Sequence, residues 1–312
     1  MTLPQSSQQP MAGTEVHDEA EEVEQEAQFR RERGPLWLRI LWANRKSRVG
    51  LILLGLFAVV AVFAPLIAPF GPSASDFRGN QNPNRDHLLG TTTNGEDIFS
   101  QLVWGTRTSL LVGIFAGGIV TAISLVIGLL AGYLQGWIDD FLSFLINLAL
   151  VIPTLPLIAI FASYSPVRGV WVIIVILGLT GWAYGARTKR AQIMTLRTRE
   201  YITAARLAGD GTWRIVFREI LPNMLSLTVA AFVGAAAGAI GAEAGLAFLG
   251  LGDPDTVSWG TTTYWATNSG ALLTGQWAWI GAPGLLLALL MTSLTLINFG
   301  VDALSNPHLR EN

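Results

Sequence analysis

The sequence predicts an all-α integral membrane protein with six transmembrane helices and both termini in the cytoplasm. Three observations predict it. Of its 312 residues, 51% are hydrophobic and 13% charged, where a soluble domain carries about a quarter charged. Six apolar stretches follow, at 49–70, 110–134, 141–161, 170–186, 225–249 and 277–300. Each comes within a few residues of the roughly 20-residue helix that crosses a hydrocarbon core of about 30 Å. A soluble bundle would carry polar stripes at helical period, and LILLGLFAVVAVFAPLIAPF carries none. The third observation is charge segregation, which the net charge of −2 conceals. Arg30, Arg31, Arg33, Arg39, Arg45, Lys46 and Arg48 precede the first stretch. Arg187, Lys189, Arg190, Arg197, Arg199, Arg206, Arg214 and Arg218 separate the fourth from the fifth, and Arg310 follows the sixth. The other side carries Arg78, Arg85, Arg107 and Arg168. The positive-inside rule therefore puts both termini and the 187–222 loop in the cytoplasm.

Residues 1–35 are acidic, with Glu15, Asp18, Glu19, Glu21, Glu22, Glu24, Glu26 and Glu32. They are too polar to bury a core and read as a disordered cytoplasmic tail. The tail has no basic start followed by an apolar core, so it does not read as a cleaved signal peptide. In residues 36–48, LWLRILWANRKSR, Trp37, Leu38, Ile40, Leu41 and Trp42 alternate with basic residues. That pattern suits an amphipathic helix in the membrane interface, with a plain extension of the first span as the other reading.

Within the spans, small residues recur every fourth position at Gly113 and Gly117, at Gly234 and Gly238, and at Gly241 and Gly245. This is the pattern of close helix contact in membranes, and it leaves open whether the partner helix belongs to this chain or to a second one. Pro153 and Pro156 in VIPTLPL remove backbone donors and loosen the third span. A broken helix there either lines a substrate path or is a packing kink. The fourth span is short and is expected to continue into water. Glu243 is the clear ionisable residue inside a span. It can pair across helices, face a water-filled cavity, contact substrate, or couple a proton.

Several functions are excluded. The absence of cysteine removes disulfides, thiolate zinc sites and iron–sulfur clusters. His17, His87 and His308 all lie outside the spans, which disfavours a Ser-His intramembrane protease and a His-ligated metal site. A phosphate-cradling loop needs Gly-Lys-Ser/Thr, whereas Lys46 follows Arg45 and Lys189 follows Thr188. Any ATP hydrolysis therefore belongs to another polypeptide, and the chain is not expected to be an enzyme. The basic clusters border apolar spans, so lipid is the expected surrounding and nucleic acid is not an expected partner.

The stretch TAARLAGDGTWRIVFREILP, 203–222, is charged where its surroundings are apolar. Ala204, Ala205, Leu207 and Ala208 favour helix, and Gly209 suits a left-handed helix end. Asp210-Gly211 makes a turn, and Thr212 is an N-cap candidate. Trp213, Val216, Phe217 and Ile220 fall at i, i+3, i+4 and i+7, one apolar stripe, with Arg214 and Arg218 on another face. Pro222 opens the fifth span. Such a helix either lies on the membrane surface or inserts into a groove on a partner.

AARLAG, ten further residues and ILPN resemble the cytoplasmic "EAA" loop of binding-protein-dependent ABC importer permeases. Ala204, Ala205, Gly209, Ile220, Leu221 and Pro222 match, and Thr203 stands where the family has Glu. HLLGTTTNGEDIFSQLVWGTRTSLLVG, 87–113, is similar to the stretch before the second span of C-type permeases of dipeptide, oligopeptide and nickel importers. There Thr92 and Glu96 depart from the family's LGTD and GRD, while Gly95 and Asp97 match. EAGLAFLGLG, 243–252, and SWG, 258–260, are similar to the end of span five and the outer loop after it. The similarity covers residues 36–310.

The resemblance implies a six-helix permease bundle over 49–312 in a bacterial inner membrane. It implies pairing with a second, homologous permease, with two cytoplasmic ATPases that bind ATP and magnesium, and with an extracytoplasmic substrate-binding protein. Trp213, Val216 and Phe217, together with the matched loop residues, become the ATPase-coupling element. Glu243, Pro153 and Pro156 become candidates for the translocation path or for helix pairing. Two other classes remain open: an ion-coupled secondary transporter using Glu243, and a membrane scaffold that transports nothing.

Overall fold

A long helix capped outside its apolar stretch organises the fold. The structure, a computed structural model, describes residues 41–42 and 44–305. The acidic tail, residues 36–40 and 43 of the 36–48 interfacial segment, His17, His308 and Arg310 lie outside the described residues. Among the described residues the secondary structure is helical, and the one β feature is an isolated bridge between Thr91 and Asp97.

Helix α1 (Arg45–Val62) starts where the Asn44 side chain accepts hydrogen bonds from the amides of Lys46 and Ser47. It stops at Phe63, before the short α2 (Ala64–Ile67) that carries Pro65 in its first turn. Leu41, just before α1, is buried in the core, and Trp42 is exposed. Helix α3 (Ile98–Leu134) has 37 residues, about 55 Å at 1.5 Å per residue. It begins twelve residues before its apolar stretch because Asp97 caps it, accepting from the Ser100 amide at 2.8 Å and the Ser100 hydroxyl at 2.7 Å.

The expected third span is two helices, α4 (Trp137–Val151) and α5 (Thr154–Tyr164), meeting at 84°. Pro153 sits at the N-cap of α5 and Pro156 in its first turn, so the missing donors coincide with the break. The fourth runs through α6 (Val170–Thr180) and, after Gly181, α7 (Trp182–Leu196). This continues the short span, as its length in sequence requires. After the connection comes α11 (Leu225–Phe248), then α12 (Trp259–Asn268) and α13 (Trp277–Ser305). The numbers α8 to α10 fall to the connection between α7 and α11.

Among the described residues, four helical segments are long and apolar enough to cross a membrane: Ile98–Leu134, Val170–Leu196, Leu225–Phe248 and Trp277–Val301. The bent α4–α5 pair is apolar enough to make a fifth if its two arms form one span. Helix α1 is not among them, because Arg45, Lys46 and Arg48 occupy its first turn and it breaks at Phe63.

Helix α3 packs against α7, α11, α6, α1 and α4. Its approach to α11 needs glycine: a Cβ on Gly117 would lie 2.8 Å from the Ala236 amide nitrogen and 2.9 Å from its Cα. The main core joins α1, α3, α11, α12 and α13 around Trp259, which is fully buried. The indole of Trp259 donates to the Leu102 carbonyl at 3.0 Å and meets Phe57 edge-on at 5.7 Å. Ser258 and Thr261 form a reciprocal capping box that starts α12.

The 68–97 segment folds back on the start of α3. Phe70, Phe77 and His87 cluster, and His87 Nδ1 is 3.0 Å from Asp97 Oδ1. The two departures from the family pattern touch: the Thr92 hydroxyl donates to Glu96 Oε2 at 3.1 Å, which also accepts from Gln101 Nε2 at 2.9 Å. Thr92 is fully buried. A hydrogen bond therefore joins the two positions at which the chain departs from LGTD and GRD. Thr92→Asp alone sets a second carboxylate against Glu96 and is expected to destabilise by about 1–3 kcal/mol. Adding Glu96→Arg is expected to recover part of that loss, with a coupling on the order of 1 kcal/mol in a thermal-unfolding double-mutant cycle. Strictly additive losses would show that the two positions do not act as a pair.

Candidate functional site: an exposed helix and a cavity

Three short elements make most of the connection between α7 and α11. Helix α8 (Glu200–Leu207) ends at Gly209, whose φ of 87° is the left-handed conformation expected there. The amide of Asp210 donates to the Ala205 carbonyl at 3.1 Å, closing the helix end. Helix α9 (Thr212–Ile215) follows, then a π-helical turn (Val216–Ile220) and α10 (Leu221–Asn223). The N-cap of α9 is Gly211 rather than Thr212. Gly211 holds the extended conformation and its carbonyl accepts from Ile215, so Thr212 is already the first helical residue.

The expected single stripe divides in two. Ile215 and Ile220 are buried with Ile193, Ile202 and Met224, and Val216 is buried as well. Trp213 and Phe217 are 64% and 60% exposed, their rings stacked at 6.0 Å and 25°. A π turn runs through this stretch, in which the Leu221 amide bonds back to Val216. At about 100° per residue the four positions span an arc of about 100°, and the packed face covers the side with Val216 and Ile220 while Trp213 and Phe217 fall beyond its edge. Arg214 pairs with Asp210 at 3.1 Å on the surface, a contact worth a few tenths of a kcal/mol, roughly. Ala204 and Pro222 are exposed, and Ala205 and Leu221 half-buried. Thr203 is exposed, its hydroxyl 3.4 Å from the Arg199 carbonyl. It borders a polar hollow shared with Arg197 and Arg206.

A second feature lies among the long helices. A cavity of about 500 Å³ opens between α3, α5, α6, α7, α11 and α13. Its α11 wall is made of small residues, Ala231, Gly234, Ala235, Gly238 and Ala242. Cβ atoms placed on Gly234, Gly238 or Gly245 would meet nothing within 4 Å. The small-residue pattern therefore has two uses. Gly113 and Gly117 pack against α11, and Gly241 lies near Met291, whereas Gly234 and Gly238 face open space.

Of the residues singled out in span three, neither Pro153 nor Pro156 lines the cavity; Thr154 and Ile158, on the same helix, do. Glu243 is also apart from it. It is 3% exposed, lies against Ser258 at the start of α12, and its Oε2 has no hydrogen-bond partner. A carboxyl at that helix start is well placed against the dipole.

Sequence reasoning missed Lys189, counted above among the basic residues of a loop. Lys189 lines the cavity, and its ammonium donates to the hydroxyl of Ser124, another lining residue, at 2.7 Å. The signal was present: Ala183, Ala186, Lys189 and Ile193 recur at helical spacing and form the buried face of α7.

Residues 124–311, which include the cavity's α6, α7, α11 and α13 walls and the whole α7–α11 connection, match the family described as "Binding-protein-dependent transport system inner membrane component". The chain belongs to that family. Residues 36–89 of the permease match the "N-terminal TM domain of oligopeptide transport permease C". It is 31% identical over 278 residues to a dipeptide transport system permease protein of Bacillus subtilis, covering 88% of this chain and 85% of that one. It is 33% identical over 276 residues to an oligopeptide transport system permease protein of Mycobacterium tuberculosis, covering 87% and 94% respectively. The permease is thus a multi-pass, all-helical membrane subunit of the ABC transporter type.

Proposed function

We propose that the permease forms half of the translocation path of an ATP-driven importer of di- or oligopeptides. The observation that carries this reading is the exposed Trp213–Phe217 stack between α7 and α11. Two aromatic rings turned away from their own core, beside Arg214 and Arg218, suit a groove on another subunit. That subunit is one of two cytoplasmic ATPases, which bind ATP and magnesium. A second, homologous permease completes the path along the open small-residue wall of α11, and an extracytoplasmic binding protein delivers the cargo. Relatives named for dipeptide and oligopeptide transport support the cargo class, with nickel as the alternative cargo of the resembled importers.

In this arrangement α1 supplies the sixth span of the bacterial inner-membrane subunit. Arg45, Lys46 and Arg48 lie at the cytoplasmic face, and both termini are cytoplasmic. ATP binding draws the ATPases together, the docked helices follow, and the bundle exchanges inward- and outward-facing populations. The permease itself breaks no bonds.

The test is co-purification from native membranes, then reconstitution into proteoliposomes. Uptake of a labelled tripeptide is expected to require ATP, the binding protein and both ATPases. Uptake by this chain alone under a proton gradient would overturn the reading.

One observation favours that second, ion-coupled reading: the partnerless Oε2 of buried Glu243. Glu243→Gln separates the two. ATP-driven uptake is expected to survive it, because Glu243 lies outside the cavity lining and the amide keeps its size and one acceptor oxygen for Ser258. Abolished uptake with an intact complex would assign Glu243 to ion coupling.

A further inference from the structure

We propose that Lys189, held in place by Ser124, is a carboxylate-binding point inside the cavity that takes the C-terminal carboxylate of a peptide in transit. The inference rests on the peptide-import reading above and names the group of the cargo that this wall recognises.

The geometry begins with how the lysine is fixed. A Cβ on Gly128 would lie 2.8 Å from the Lys189 Cβ, so the lysine stem is pressed against α3. A Cβ on Gly185 would lie 2.9 Å from the Ser124 Oγ and 3.4 Å from the Lys189 Nζ, so that glycine leaves room for the two polar groups to meet. Lys189 is 1% exposed. Its ammonium has three donors, and one goes to Ser124, whose own hydroxyl hydrogen goes to the Thr121 carbonyl at 3.0 Å. Among the described residues no carboxylate pairs with Lys189.

A buried cation without a counter-ion is costly in a low-dielectric interior, and polar groups kept at membrane depth mark substrate pathways. Two more polar atoms on residues lining the cavity, one on α3 and one on α13, lack partners. Thr121 Oγ1 and Asn298 Oδ1 are both buried without a hydrogen bond. The set therefore offers two free N–H donors, a hydroxyl donor and an amide acceptor in a cavity whose remaining lining is mainly small and apolar, with Thr154, Thr180, Tyr184 and Thr188 as its other polar members. A peptide's C-terminus matches it: the carboxylate takes Lys189 and Thr121, and a nearby peptide N–H takes Asn298. Every linear peptide carries that end whatever its side chains, so the contact grips cargo without reading its sequence.

The test uses the complete transporter in proteoliposomes with its binding protein. Uptake of trialanine is compared with uptake of trialanine amide, and the binding protein's affinity for each is measured separately. Lys189→Met is expected to lower trialanine uptake about tenfold, the scale of a lost charge-assisted hydrogen bond, and to leave the amide unchanged. Lys189→Arg is expected to retain most of the preference. ATPase stimulation by loaded binding protein shows that each variant is assembled. Should Lys189→Met fail that check, Ser124→Ala, which removes only the hydroxyl, is expected to lower trialanine uptake selectively about threefold. Equal effects on both peptides, or none, in an assembled variant would overturn the carboxylate site alone. A wild-type transporter that takes up neither peptide would instead refute the peptide reading.

Discussion

Phe217→Asp is expected to leave the permease inserted at normal yield but to abolish peptide uptake and the stimulation of ATPase activity by loaded binding protein. Phe217 makes its visible contact with Trp213, and both rings face outward. A carboxylate there is solvated and costs the isolated chain little. In a partner's groove the same carboxylate is desolvated and replaces an apolar anchor. Losing a central aromatic anchor costs roughly 2–4 kcal/mol, about 30- to 1,000-fold in affinity.

Val216→Asp supplies the contrast. Val216 is 2% exposed and packs inward, so a charge there falls within an apolar environment and is expected to reduce the amount of folded protein. If both variants lose yield equally, the exposed pair is not a separate docking surface. If Phe217→Asp transports normally, the docking assignment is wrong, and the rings belong on the lipid surface.

These variants also show where the sequence was legible. The apolar stretches could be read because a helix in lipid must satisfy its own backbone and present apolar side chains throughout. The break at Pro153 and the left-handed Gly209 could be read because each residue type forces a backbone outcome. The splitting of Trp213 from Val216 could not. Periodicity places the four side chains within one arc of about 100°, and where the packed face ends inside that arc depends on neighbours distant in sequence.

Lys189 was obscured for a different reason. It sits in the basic run RTKR, where charge counting assigns every member to water. Its helical register with Ala186 and Ile193 instead carries it into the cavity. Glu243 was the opposite case. Its charge inside a span drew attention, yet from α11 it lies against Ser258 at the start of α12, outside the cavity lining.

Gly117→Ala and Gly238→Ala add the same methyl to two positions of one repeating sequence pattern, and their expected outcomes differ sharply. At Gly117 the methyl would meet the Ala236 backbone at 2.8–2.9 Å. Backbone cannot rotate away as a side chain can, so α3 and α11 must separate along their contact. Overpacking of this kind costs about 1–3 kcal/mol, and the expected readout is a lowered unfolding temperature in detergent with reduced yield. At Gly238 nothing lies within 4 Å, so the permease alone is expected to tolerate the methyl.

Gly238→Leu extends the comparison. The larger side chain projects into a cavity of about 500 Å³ and is expected to leave yield unchanged while reducing peptide uptake. Loss of co-purification with the second permease, with the permease itself still folded, would instead place Gly238 at the contact between the two permeases. A Gly238→Leu variant that folds, assembles and transports as the wild type does would remove the open wall of α11 from the path altogether. The equivalent spacing of the two glycines in sequence would then reflect a shared need for small residues in lipid-embedded helices, with transport depending on another wall.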